Sequence, residues 1–397
     1  MSSWMADPRV RRSSRPLLGT GRAAFPAEVQ YVEGMPLLKK FRSRVARMLP
    51  AAARARARHV LDVVDTEWHW LFSRRRIRRR LEELRRIPRG LHVEGTNICN
   101  AECVFCAYPQ MERRKQTMSM EDFQKVVREY LAMGGHHVSL TPIVGDPFVD
   151  KHLFERLEWL HGLPQVTGIS FYTNAILMTR EKSERLMRYA DKLHVHVSWG
   201  GFDEATWNEV MGVTKFVPAR DAVLAFLDVK RKTGSKSPFT LALRCPDSSC
   251  TGELWETLRA AEREGLVEIA GMPDYDSWSG KITPEALATV GLRARSMPYK
   301  KGACELLFTK PVVLANGDVN ACACRDVEAE LVVGNVKQKP LAEIWAGAEI
   351  DAIIAGHEKG EYPPVCQRCT YFVSVYNSRR SRTFEKDGKL AGNWSED

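Results

Sequence analysis

The sequence predicts an α/β protein built on a parallel sheet, and three observations carry that reading. Short apolar strands alternate with helical segments from residue 91 to about 270, the rhythm of parallel strands joined by right-handed crossovers. The chain has 397 residues, 44% of them hydrophobic and 27% charged, enough for one domain of ~250 residues with smaller appendages. Its ten cysteines fall in groups beside these elements, the usage of a chain that binds metal rather than one stapled by disulfides.

The elements follow in order. Residues 1 to about 30 hold Arg, Ser, Pro and Gly without apolar period and are expected to be disordered. Residues 36–87 read as helical, Ala-rich and then Arg-rich, until Pro88 and Gly90 punctuate the chain. Strands are expected at 91–96, 137–143, 167–173, 193–199, 239–244 and 267–270. Helices are expected at 118–133, 151–163, 180–190, 219–233 and 252–264, the first with Ser119 as N-cap and Glu121 and Asp122 in its opening turn. Six such units form either a partial barrel or an open doubly wound sheet, and periodicity does not choose between them. After residue 275 the rhythm changes. Residues 311–314 and 318–321 flank Asn316-Gly317, a hairpin signal. A helix is expected at 341–355, and Pro363-Pro364 then leads into Cys366 and Cys369. The expected organisation is a basic N-terminal region (1–89), a catalytic domain (90–275), an auxiliary domain (276–375) and a polar tail (376–397).

The net charge of +10 is concentrated. Between Arg74 and Arg89 stand nine arginines against Glu82 and Glu83. Such a run suits an anionic partner (nucleic acid, a membrane surface or an acidic protein face) or a solvated amphipathic helix. No run of 18 apolar residues and no apolar N-terminal stretch exist, so neither a transmembrane helix nor a secretion signal is expected, and the expected location is cytoplasmic.

Cys99-Asn-Ala-Glu-Cys103-Val-Phe-Cys106 directly follows the first strand. Three clustered thiolates suit a soft metal or an iron–sulfur cluster. A structural zinc site takes four ligands, so the alternative is a zinc knuckle completed from elsewhere. The spacing C-x3-C-x2-C, with Phe105 before the last cysteine, resembles the radical S-adenosylmethionine (SAM) superfamily. The resemblance implies a partial (β/α)6 TIM-like barrel and a [4Fe–4S] cluster on Cys99, Cys103 and Cys106 whose open iron binds SAM. It also implies an electron donor protein of flavodoxin or ferredoxin type. Gly145-Asp146-Pro147 looks like the family's Gly-Glu-Pro element, whose backbone receives the methionine amino group. Asp stands there in place of Glu. Asn174, in a Tyr-Thr-Asn stretch, and Ser198, near the end of the fourth strand, are further candidates for holding SAM. Both equally suit strand-end caps.

Cys304, Cys322, Cys366 and Cys369, with Asn316-Gly317-Asp318-Val319, Gly334-Asn335-Val336 and Glu343-Ile344-Trp345, resemble the SPASM/twitch extension of the same superfamily. No cysteine follows Cys369, so the resemblance implies one auxiliary [4Fe–4S] cluster with these four ligands. A zinc ribbon is the alternative. Cys324 reads as an alternative ligand or a packed thiol. Cys245 and Cys250, after the fifth strand, are candidate catalytic thiols that return a hydrogen atom to a substrate radical, or buried small hydrophobes.

The expected activity is therefore a radical SAM oxidoreductase acting on a small molecule such as a sugar or aminocyclitol alcohol. Maturation of a ribosomally made peptide, by crosslinking or epimerisation, is a second reading. A zinc-holding, nucleic-acid-binding scaffold is a third. Asp274, Asp276 and Glu305 are candidate bases that nothing in the sequence ranks.

Overall fold

The computed structural model describes residues 51–391 apart from 142, 273, 324 and 386–388. The expectations for residues 1–50, for Cys324 and for the last six residues lie outside the described residues. The chain divides into two compact units, Met1–Ala55 and Arg56–Asp397. Among the described residues, the second holds every strand and every helix except the start of α1 (Ala51–Phe72).

Six parallel strands form the centre: β1 (Leu91–Val93), β2 (His137–Ser139), β3 (Gly168–Thr173), β4 (Leu193–Trp199), β5 (Phe239–Leu243) and β6 (Glu268–Gly271). They neighbour one another in sequence order. A doubly wound sheet needs a reversal of strand order. Without one, right-handed crossovers put every helix on one side, so the sheet curls into a partial barrel. β4 shows why these residues make a strand. Leu193, Val195, Val197 and Trp199 are buried, while His194, His196 and Ser198 alternate with them on the inner side.

Helices α3 (Met120–Ala132), α4 (Leu153–His161), α5 (Arg180–Leu186), α6 (Glu204–Met211), α7 (Phe216–Thr233) and α8 (Glu253–Arg263) fill the crossovers. Ser119 caps α3 as expected, its hydroxyl accepting from Asp122 N at 3.0 Å. α6 was not expected, because eight residues carry too little period to be seen. Its cap is Asp203, whose carboxylate accepts from Thr206 N at 2.9 Å and from Thr206 Oγ1 at 2.8 Å. Asp203→Ala is expected to destabilise the fold by about 1 kcal/mol at neutral pH. The Thr206 N–H holds the Asp203 carboxyl below its ordinary value. Its stabilisation is therefore present above the unfolded pKa of ~3.9 and is lost as pH falls through the folded value. Chemical denaturation of parent and variant across that range checks both the size and the convergence at acid pH.

β1 and β2 are shorter than expected because their continuations turn into loops that pack on one another. Gly145 has φ +104°, and a Cβ there would lie 2.4 Å from Thr96 O. The helix expected at 341–355 is two, α11 (Leu341–Trp345) and α12 (Ala348–Lys359). They break at Gly347, where a Cβ would lie 2.9 Å from Glu349 Oε2 and 3.1 Å from Ile344 O.

Four short elements lead into the C-terminal part: β7 (Asp274–Tyr275), α9 (Pro284–Thr289), β8 (Arg293–Ala294) and α10 (Leu306–Thr309). The expected hairpin forms as β9 (Val312–Val313) and β10 (Asp318–Asn320) around Gly317, with φ +94°. It does not stand apart from the catalytic sheet. β9 pairs parallel with β1, His92 opposite Val312 and Val93 opposite Val313. β10 and β11 (Val332–Asn335) add antiparallel, giving one nine-stranded sheet. The last helix is α13 (Pro364–Arg368). The segment from 376, expected as a polar tail, begins with packed residues: Tyr376, Thr383 and Phe384 are buried. The arginine run forms α2 (Arg74–Arg85), which buries Ile77, Leu81 and Leu84 and leaves most of its arginines outside.

Candidate functional site

The first cysteine loop leaves β1 and is held from two sides. Asn97 donates to Arg114 O at 2.9 Å and accepts from Gln116 N at 2.7 Å. Glu102 N and Val104 N donate to Met211 O and Val210 O at the end of α6, at 3.2 and 3.0 Å. Gly212, with φ +68°, permits that approach, since a Cβ there would lie 2.1 Å from Glu102 O. The three thiols of Cys99, Cys103 and Cys106 share one buried neighbourhood and influence one another electrostatically. Cys106 Sγ accepts from Tyr108 N at 3.5 Å, and Cys99 Sγ receives Asn174 Nδ2 at 3.8 Å.

Desolvation, then the Asp146 carboxylate, pushes the Cys99 thiol up to about 12. Desolvation pushes Cys106 up to about 11 and Cys103 well above its ordinary value. Buried thiols of this kind become thiolates when a cationic centre binds them. Among the described residues no three His, Cys, Asp or Glu side chains close on a single metal ion.

The residues read as holding SAM surround this loop. Asp146 is buried, and its carboxylate accepts from Phe148 N at 2.9 Å and from Thr173 Oγ1 and Asn174 N at 2.8 Å. Asp146 N donates to Ile98 O at 2.9 Å. Asp146 thus ties the end of β3, through its carboxylate, to the cysteine loop, through its backbone N–H, while Gly145 and Pro147 carry the chain tightly past Thr96. Asn174 Nδ2 donates to Asn100 Oδ1 at 2.7 Å, on the same loop. The Phe105 carbonyl accepts from Trp278 Nε1 at 2.9 Å, and the Phe105 ring lies 5.2 Å from that of Tyr275. Ser198 shares the inner side of β4 with His196 and His194, whose rings stack at 3.8 Å. Tyr172 stacks on His196 at 4.4 Å, and His194 Nε2 hydrogen-bonds Thr240 Oγ1 at 2.9 Å.

Cys304, Cys322 and the Cys366–Cys369 pair come from three separate places and line one small cavity of about 30 Å³, together with His357, Tyr371 and Phe372. Cys304 bridges to Ser374, Cys322 follows β10, Cys366 sits in α13 and Cys369 ends that helix. Cys369 Sγ accepts from Tyr371 N at 3.3 Å. Desolvation raises Cys304 and Cys369, and lifts Cys366 to about 12. Four converging thiols in a dry cavity are a donor set for a soft, cationic, four-ligand centre.

Between the two thiol groups lies an ion pair that sequence reasoning missed. Arg325 Nε stands 2.7 Å from Asp276 Oδ1. The Arg325 guanidinium lies 4.6 Å over the Trp278 ring and 4.5 Å over that of Tyr371. Arg325 lowers, and Asp276 raises, the affinity of both Cys106 and Cys369 for a proton, so the pair acts on both groups. Nothing in the spacing announced Arg325. The candidate bases are otherwise engaged. Asp276 holds Arg325, Asp274 lies 3.2 Å from Arg293 Nη2, and the buried Glu305 accepts from Arg382 N at 2.8 Å.

Cys245 and Cys250 pair with each other in the loop after β5, where burial pushes Cys250 up to about 12 and raises Cys245. A cavity of about 920 Å³ opens at the other end of the barrel. It is lined by His92, His137 and His194 at the amino ends of the strands and by residues of α2. It is far from the cysteine loops, which sit beyond the carboxyl ends, where α/β folds place their chemistry.

Residues 93–241 match the model of the radical SAM superfamily, and residues 304–370 match that of SPASM, an iron–sulfur cluster-binding domain. A GTP 3',8-cyclase of Mannheimia succiniciproducens is 25% identical over 129 residues, covering 32% of this chain and 37% of its own. A GTP 3',8-cyclase of Actinobacillus pleuropneumoniae is 23% identical over 262 residues, covering 54% and 71%. The chain thus spans little more than a third of the first of these relatives. Among solved structures, BtrN in complex with AdoMet and 2-DOIA is similar at 15% identity and a TM-score of 0.47, covering 72% of this chain and 94% of its own. The structure of anSMEcpe with bound AdoMet is similar at 16% identity and a TM-score of 0.48, covering 77% and 90%.

Proposed function

The chain belongs to the radical SAM superfamily and carries a SPASM iron–sulfur domain, and from that membership we propose that it oxidises a small hydroxylated molecule of the sugar or aminocyclitol class. Its cofactors are SAM and two iron–sulfur clusters. Cys99, Cys103 and Cys106 would hold the first cluster, and Cys304, Cys322, Cys366 and Cys369 the auxiliary one. When bound, these groups supply one-electron cleavage of SAM, a 5′-deoxyadenosyl radical and an outlet for the electron released on oxidation.

What the chain's own residues do supports the reading. The cysteine loop, clamped by Asn97 and α6, buries Cys103 and half-buries Cys99 and Cys106. Asn174 and Asp146 fix that loop to the end of β3. Arg325, held by Asp276, places a positive charge between the two thiol groups and offsets the negative charge that thiolates bring. The observation that carries the substrate class is the inner wall of the barrel toward the carboxyl ends of β3 and β4: Tyr172 and Ser198, with His196 stacked on Tyr172, form a polar surface. Such a wall suits a molecule rich in hydroxyl groups. Burial, then His194 and Arg244, holds His196 down to about 3, so at neutral pH its ring is uncharged and accepts or donates hydrogen bonds as a neutral group.

A second reading takes its substrate from the name of the curated relatives, a guanosine triphosphate. One experiment separates these from a peptide substrate. The anaerobically reconstituted protein, with reductant and SAM, is offered deuterated aminocyclitols and hexoses, GTP and model peptides. The expected result is deuterium in 5′-deoxyadenosine and a ketone product from an alcohol. Deuterium transfer from GTP or a peptide alone would sink the proposal. Zinc in place of iron would return the third reading, a scaffold.

Cys250→Ala separates oxidation from epimerisation. If the product is a ketone, the variant turns over within about twofold of the parent. If Cys250 returns a hydrogen atom, product formation drops by ~10²-fold or more while SAM cleavage continues. Product analysis with solvent deuterium checks which holds.

A further inference from the structure

Helix α1 is amphipathic with its faces reversed. The side turned into the protein is mostly polar, Trp70 apart, whose ring meets that of Tyr376 at 5.0 Å. Asp62 and Thr66 are buried. Asp62 takes Arg379 at 3.0 Å and Arg380 at 2.7 Å. Asp65 accepts from Ser378 N and Oγ, both at 2.7 Å, and Thr66 Oγ1 accepts from Asn377 Nδ2 at 3.2 Å. His69 meets the Phe384 ring edge-on at 4.9 Å. The side turned outward is apolar: Val60, Leu61, Val64, Trp68, Leu71 and Phe72 are between 41% and 69% exposed. Spacings of four, four and three residues align Val60, Val64, Trp68 and Leu71 in one stripe. A helix of a globular protein turns such a stripe to the core, and a contiguous apolar patch left outside marks an interaction surface.

Exposed arginines bracket the stripe. Arg56 and Arg58 precede it. After it, the hydrogen-bond ladder continues through Ser73, whose N–H donates to His69 O at 2.9 Å and whose carbonyl accepts from Ile77 N at 3.0 Å. α2 therefore prolongs the course of α1. Arg75, Arg78 and Arg79 follow Leu71 and Phe72 at helical spacing and are exposed, as is Arg76. The neighbouring acids are engaged elsewhere or lie beyond. Asp65 holds Ser378, Glu67 stands 3.4 Å from Lys301 Nζ, and Glu83 pairs with Arg80 at 2.8 Å.

We propose that α1 and the start of α2 seat this protein on the surface of a membrane rich in anionic phospholipid. Val60, Val64, Trp68, Leu71 and Phe72 enter the boundary between headgroups and acyl chains, and Arg75, Arg76, Arg78 and Arg79 take the lipid phosphates. Tryptophan, phenylalanine and leucine on one strip, continued by arginines, is the composition of a helix that lies in the interface. Among the described residues no helix is long and apolar enough to cross a membrane. Nucleic acid would use the arginines and leave the apolar stripe in water. A second copy aligned along the same stripe would set one arginine run against another.

The test uses the full reconstituted chain and vesicles of phosphatidylcholine alone or with about 30% phosphatidylglycerol. Co-sedimentation is expected only with the anionic vesicles, falling at least tenfold at high salt, on the order of what several arginines contribute. Two variants, Val64→Ser with Trp68→Ser and Leu71→Ser, and Arg75→Glu with Arg78→Glu and Arg79→Glu, are each expected to lower partitioning about tenfold or more. All six positions are exposed, so iron content and thermal midpoint stay those of the parent. Quenching of tryptophan fluorescence by brominated acyl chains is a second measurement that needs no variant. No preference for anionic vesicles, or binding that survives the apolar substitutions, overturns the proposal. So does a concentration-dependent dimer that the apolar substitutions abolish, which would make a second copy the occupant.

Discussion

Replacing Cys99, Cys103 and Cys106 together by alanine is expected to abolish SAM cleavage and to lower bound iron from about 8 to about 4 per chain. The two thiol groups are separate in sequence, and each has its own surroundings, with the Arg325–Asp276 pair acting on both. One group therefore loses its cluster without unloading the other. The converse pair, Cys366→Ala and Cys369→Ala, is expected to keep SAM cleavage and lose ketone formation, because two of the four proposed ligands to the auxiliary centre are gone. Iron and sulfide analysis with 5′-deoxyadenosine release measures both. A triple variant that still cleaves SAM would remove Cys99, Cys103 and Cys106 from the reaction, whatever the family.

The largest expected effect on stability is at Arg156, which lies on α4 and is fully buried. Its Nε stands 2.8 Å from Asp150 Oδ2, its Nη2 donates to Met118 O, and its guanidinium lies 4.5 Å over the Phe123 ring. One side chain thus ties together the loop after β2, the entry to α3 and the core. Arg156→Ala leaves a buried Asp150 carboxylate without its cation, and breaking such a pair destabilises by about 3–5 kcal/mol. The thermal midpoint is expected to fall by on the order of 10 °C. Removing both partners, with Asp150→Ala added, is expected to recover part of the loss, because no lone charge remains. A midpoint within two or so degrees of the parent in Arg156→Ala would mean that water reaches Asp150 and that the pair is not a strut.

The sequence was legible where a local rule and the tertiary fold agree. Strand β4 has the expected bounds because Leu193, Val195, Val197 and Trp199 alternate cleanly with His194, His196 and Ser198. The cysteine triplet was legible because its ligand spacing is local. Convergence of Cys304 and Cys322 on the Cys366–Cys369 pair was expected from resemblance alone, since nothing local brings such distant residues to one cavity. The Arg325–Asp276 pair left no trace, because its meaning lies in two side chains meeting across the fold. The reversed faces of α1 were illegible for a different reason. A period of 3.6 says that Val60, Val64, Trp68 and Leu71 share a side. It does not say which side faces water, and here Asp62 and Thr66 face inward because Arg379, Arg380 and Asn377 wait there. The break between α11 and α12 was missed because one glycine in a helical pattern is a weak stop.

The parallel pairing of β9 with β1 sets a schedule for biosynthesis. Glu94, at the end of β1, accepts from Ala315 N, 221 residues later in the chain. At ~5–20 residues per second, the ribosome releases that partner roughly 10–45 s after β1 itself. Throughout that interval the first strand has an open edge, and for most of it the cysteine loop lacks its later neighbour Trp278, while Arg325 emerges only afterwards. A nascent chain in that state invites pairing with other strands. Oxidation of the unburied thiols is a second hazard. Expression at low temperature, slow induction or co-production of iron–sulfur assembly proteins should therefore raise the yield of loaded enzyme more than it raises the yield of polypeptide.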